Sequence, residues 1–132
     1  MIEFIKKDKV IFAQIIRSNF KRKKGITFFT KPNLNQQVAY MNHAKGHKII
    51  PHHHKKTLRR INKMSEVLII LDGKMKVNFY DKRNKLFKFV VLKKSDIIIL
   101  LNGGHGFEIL KNCKFIEVKQ GPFYKSKDKT RF

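Results

Sequence analysis

At 132 residues and 15.7 kDa the chain has the size of one ordinary domain, and 42% apolar content suffices for one core. The single cysteine, Cys113, excludes an internal disulfide and is read as a small apolar residue alternating with Phe115. The first twenty residues never run more than a few apolar positions without a charge or amide, which argues against a signal peptide and a membrane span, so a cytoplasmic location is expected.

The formal net charge of +22 draws a protein toward nucleic acid, anionic membranes or phosphorylated small molecules. Lys and Arg are nevertheless spread along the chain, and only 21–24 and 55–60 are dense clusters. The charge is therefore read as a surface bias, with no specific nucleic-acid partner expected. No DNA-reading helix or RNA-stacking strand motif is apparent.

In chain order, period-two alternation with β-branched and aromatic residues predicts strands at 10–16, 26–30, 37–42, 48–54, 58–61, 67–71, 74–80, 86–92, 96–101, 106–110 and 114–119. No helical stripe exceeds two turns. The expected class is all-β, a sandwich or barrel forming one domain over 1–132. Residues 1–36 supply N-terminal strands and 121–132 form a basic tail.

The run "VLIILDGKMKVNFY" carries Asp72-Gly73, the two-residue signal for a hairpin whose turn needs positive φ. That register puts Glu66, Leu68, Ile70, Met75, Val77 and Phe79 on one face. An unpaired carboxylate on an apolar face is costly, so Glu66 requires a cation or a strong donor. The outer positions Val67, Ile69 and Leu71 need a covering strand or a partner subunit.

The triplet His52-His53-His54 lies in the predicted strand 48–54, so His52 and His54 share a side and His53 points away. By itself this is a polar edge strand more often than a metal site. His43 and His47 are expected in a solvated turn, Asp96 in a turn, and Glu108 in a strand, the last two structural or paired with lysine.

Gly46, five residues, His52-x-His54, a gap, Glu66, six residues and Gly73 resemble the first motif of the cupin family, and "SDIIILLNGGHGFEI" resembles its second. The resemblance covers about residues 37–120. It implies a double-stranded β-helix, the jelly-roll barrel of that family. It also implies a divalent transition metal, Fe, Mn, Ni, Zn or Cu, held by His52, His54, Glu66 and His105.

Four departures stand out. Eleven residues separate His54 from Glu66, more than is usual, so that part of 55–65 is an insertion. Ser95 and Leu101 stand where glycine and proline are usual. The turn "NGGH" before His105 is short.

The run "GHGFEILKNCKFIEVKQGPF" is similar to that of small single-domain cupins associated with surface-polysaccharide and sugar-nucleotide biosynthesis. The implied substrate is a small anionic metabolite such as a sugar nucleotide, with Arg59 and Arg60 clamping its phosphates. The chemistry is then that of a metal-dependent oxygenase or an isomerase or epimerase, and the likeness implies a homodimer. Two alternatives remain open: a metal-free isomerase or epimerase using His52 or His54 as base, and a non-catalytic barrel binding a small ligand or, nonspecifically, nucleic acid.

Overall fold

The computed structural model describes residues 1–21, 23–124 and 128–132. Eight strands follow one another, with no helix among the described residues: β1 (Ile2–Lys7), β2 (Val10–Ile16), β3 (Gly25–Phe28), β4 (Ala39–Asn42), β5 (Glu66–Tyr80), β6 (Leu86–Lys93), β7 (Ile97–Leu100) and β8 (Gly104–Lys119). The all-β class holds, and every strand pairing is antiparallel. The strands fall into two compact units.

The larger unit, Met1–Phe20 with Lys63–Phe132, holds six strands in one sheet ordered β1-β2-β7-β5-β6, with β8 also paired to β5. Strand β5 is its axis. On one side β7 pairs with its first residues and β6 with its second half, while β8 runs along nearly the whole of its other side. The core is the inner face of this sheet, where Leu68, Ile70, Met75, Val77 and Phe79 meet Ala13, Ile15, Leu92 and Ile98. Full burial of each large side chain contributes about 1.5–3 kcal/mol. Phe87 and the half-buried Cys113 pack on the same cluster, and burial raises the thiol pKa of Cys113.

The hairpin expected at Asp72-Gly73 does not form. The chain continues through both residues as one strand, and the register with β8 shifts three times between Ile70 and Met75. Gly73 has φ +83°, and a Cβ there would lie 1.9 Å from the Asn112 carbonyl oxygen, so only glycine fits where the two backbones meet. These shifts form a β-bulge at which the β5–β8 ribbon bends. The expected faces survive nonetheless, because Glu66, Leu68, Ile70, Met75, Val77 and Phe79 are all buried. A bulge and a two-residue turn both reverse the side-chain parity, which is why alternation alone reads them alike.

Strand β1 lies outside the predicted strands. It pairs with β2 through a tight turn in which Asp8 takes φ 53° without the usual glycine signal. At the far end of this hairpin, Arg17 donates to both carboxylate oxygens of Glu3 at 2.9 Å and to Asp96 at 3.0 Å. Asp96 is therefore structural, as expected, though its partner is an arginine. Glu108 pairs with Lys76 at 3.1 Å.

The smaller unit, Lys21–Asn62, contains the β3–β4 ladder, in which Ile26 faces Met41 and Thr27 faces Tyr40. The strands predicted at 48–54 and 58–61 are absent, and every residue from 43 to 62 is exposed. Alternation specifies a strand only where a sheet edge and a core face receive it; here Pro51 and a run of cations break the pattern.

Candidate functional site in the larger unit

Glu66 opens β5, and His105 follows the Gly103-Gly104 turn at the start of β8. In the ladder His105 faces Phe79, thirteen positions along β5 from Glu66. A straight strand would separate those positions by about 43 Å. Yet His105 Nε2 lies 3.1 Å from Glu66 Oε2. The bend at Gly73 thus returns one end of the ribbon toward the other, and the carboxylate receives its required donor.

Glu66 is 6% exposed. The hydrogen bond from His105 holds its carboxyl below the usual carboxylate range, against burial, which pushes it up; Lys129 and Lys119 add to the lowering. Just before it, Ser65 and Gln120 exchange two hydrogen bonds of 2.9 Å that tie the entrance of β5 to the exit of β8.

The pair lies in an open cleft of about 970 Å³, within the range of small-molecule sites. Lys63, Lys129 and Arg131 line it with three cations against the carboxylates of Glu66 and Asp128, and Tyr80, Phe107 and Phe132 add aromatic surface. Asn102 orders one wall, accepting from Lys63 Nζ at 2.9 Å while its amide donates to the Ile11 carbonyl at 2.8 Å. The Phe132 ring meets Tyr80 edge-on at 5.3 Å. It also occupies the space a Cβ on Gly104 would need, 2.8 Å away.

Ser95 and Leu101 differ in how well their local backbone suits them. Ser95 takes φ 68°, the backbone region that favours glycine. Leu101 donates its backbone N–H to Phe12 at 2.8 Å, a bond that a proline would forfeit.

Of the residues expected at a metal, Glu66 and His105 meet in the larger unit. His52 and His54 belong to the smaller unit, outside any strand, with ring centroids 5.4 Å apart and with His52 Nδ1 2.9 Å from the Ile50 carbonyl. His53 is exposed like them, so the strand geometry that set it apart does not hold. His43 and His47 stack at 4.1 Å beside the turn at Gly46, as a solvated turn allows. Arg59 and Arg60 are exposed in the smaller unit. Among the described residues, no three His, Cys, Asp or Glu side chains gather as a metal-holding group.

Sequence reasoning did not single out Lys63, Asn102, Lys129 or Arg131. Their only sequence signal is position: Lys63 within 55–65, Asn102 at the head of "NGGH", and Lys129 and Arg131 within the basic tail. No helix among the described residues is long and apolar enough to cross a membrane. Compared with known protein families, curated proteins and solved structures, the chain matches none.

Proposed function

We propose that this protein binds a small anionic metabolite in the cleft of its larger unit and carries out proton transfer on it with His105. The observation that carries the reading is the His105–Glu66 hydrogen bond beside Lys63, Lys129 and Arg131. A carboxylate bonded to one imidazole nitrogen fixes the tautomer and orientation of the ring and leaves the other nitrogen, Nδ1, as proton acceptor. The cations supply phosphate contacts, and the aromatic rings supply a surface for a sugar or base. An activated sugar such as a sugar nucleotide meets both demands, and isomerisation or epimerisation is the matching chemistry. Polysaccharide biosynthesis, a cupin double-stranded β-helix and a cytoplasmic setting belong to this reading through the sequence likeness.

The test is thermal stability with a panel of sugar nucleotides, since a ligand bound only to the native state raises Tm by mass action. A saturable rise that disappears in a Lys129→Gln, Arg131→Gln variant supports the reading. No rise with any phosphorylated ligand overturns it.

A second reading takes Glu66 and His105 as two donors of a divalent transition metal, favoured by the 3.1 Å between their donor atoms. Bound there, such an ion would act as a Lewis acid on a substrate oxygen or activate O₂. Elemental analysis of tag-free protein decides it: near-stoichiometric metal in the parent, lost in a Glu66→Ala, His105→Ala variant, is the expected result. No metal in the parent leaves the imidazole base.

A homodimer is proposed through β8, which pairs on one side only among the described strands and leaves Phe107, Ile109, Leu110 and Ile116 exposed. Sedimentation at moderate salt, where charge repulsion is screened, is expected to show a dimer that Ile109→Lys disrupts.

A further inference from the structure

Charge is divided between the two units in an extreme way. Residues 21–62 contain eleven Lys and Arg, five His and no Asp or Glu. All nine carboxylate side chains of the chain lie in the larger unit. No cation of the smaller unit therefore has a carboxylate side chain within that unit to neutralise it.

The same unit exposes large apolar side chains among these cations. On one face of the β3–β4 ladder, Ile26, Phe28 and Met41 are each more than half exposed, directly after the exposed Lys21, Lys23 and Lys24. Farther along, Ile50 is 82% and Leu58 86% exposed, interleaved with Lys48, Lys55, Lys56, Arg59 and Arg60. Such a density of bare apolar side chains is unfavourable in water and marks an interaction surface.

We propose that Lys21–Asn62 is a peripheral docking surface for anionic lipid bilayers. The complementarity is twofold: cations meet the negative headgroups, and apolar tips enter the boundary beneath them. Single-stranded nucleic acid would use the same charge, but its bases stack on aromatic rings. Of the five apolar side chains just named, only Phe28 is aromatic; Ile26, Met41, Ile50 and Leu58 are shaped for acyl chains instead.

The full chain is floated with vesicles of three parts phosphatidylcholine to one part phosphatidylglycerol, and with phosphatidylcholine alone. Binding to the first and not to the second is expected, weakening as salt rises. Ile26→Ser, Phe28→Ser, Met41→Ser is expected to lower vesicle partitioning about tenfold or more with its charge unchanged. Ile50→Ser with Leu58→Ser, at positions outside any strand, gives a second loss that unfolding of the ladder does not explain.

Three results overturn the proposal: no binding to anionic vesicles, undiminished vesicle binding by both apolar variants, or tighter binding of a single-stranded oligonucleotide than of the vesicles. The last would reassign the surface to nucleic acid.

Discussion

Asp96 is fully buried, and its carboxylate accepts from Arg17 Nη1 at 3.0 Å, from the Ser18 amide at 2.7 Å and from the Lys93 amide at 3.1 Å. One side chain thereby joins the end of β2 to the β6–β7 turn, while Arg17 carries the link on to Glu3 in β1. Removing one partner of a buried pair leaves the other charge uncompensated. Arg17→Met is expected to cost about 3–5 kcal/mol. Asp96→Asn keeps the shape and part of the bonding, so about 1–3 kcal/mol is expected, read from urea denaturation midpoints with unchanged slope.

Gly73→Ala tests the bend. The added methyl would clash with the Asn112 backbone, and the φ of +83° is strained for any other residue. A loss of at least about 2 kcal/mol is expected. Because the bend brings His105 to Glu66, the chemical shifts of the His105 ring should move in the same variant, whereas Gly46→Ala, which has open space around it, should leave them unchanged.

The Glu66 carboxyl has its pKa lowered in the folded protein, chiefly by the His105 hydrogen bond. A depressed folded-state pKa contributes stability that is present above the unfolded value and lost as pH falls through the folded one. The stability difference between parent and Glu66→Gln is therefore expected to be largest near neutrality and to shrink on acidification below the ordinary glutamate pKa. Asp81, lowered to about 2 by Lys7 and by the Lys85 and Arg83 amides, adds a further acid-side loss at still lower pH. Denaturation curves taken across the acid range check both.

Ser95→Gly is expected to stabilise. Ser95 holds φ 68° in the turn before β7, and its amide donates to the Ile70 carbonyl at 2.8 Å, a bond glycine keeps. Relief of the left-handed conformation outweighs the added freedom of the unfolded chain, for a gain of about 0.5–1 kcal/mol in thermal unfolding.

The inner face of β5 was legible in the sequence residue by residue, and so was the need of Glu66 for a donor. The path of the chain between the two halves of β5 was not, because parity is all that alternation records. His105 was singled out only through the resemblance of its segment to a family motif, whereas Lys129 and Arg131 reach the cleft through tertiary placement that no local pattern encodes. The strand expected around His52 failed for a related reason. Alternation there describes what a strand would need, but nothing in 48–54 provides the neighbouring edge.

The doubled β5–β8 ribbon makes the His105–Glu66 contact a clasp across its own hinge. Its two halves are held by the same ladder that supports the core, so opening the hinge and dismantling the cleft are one cooperative event. A ligand seated in that cleft would accordingly slow amide exchange well away from itself, in the backbone around Gly73 and Asn112, and would report on the hinge without touching it.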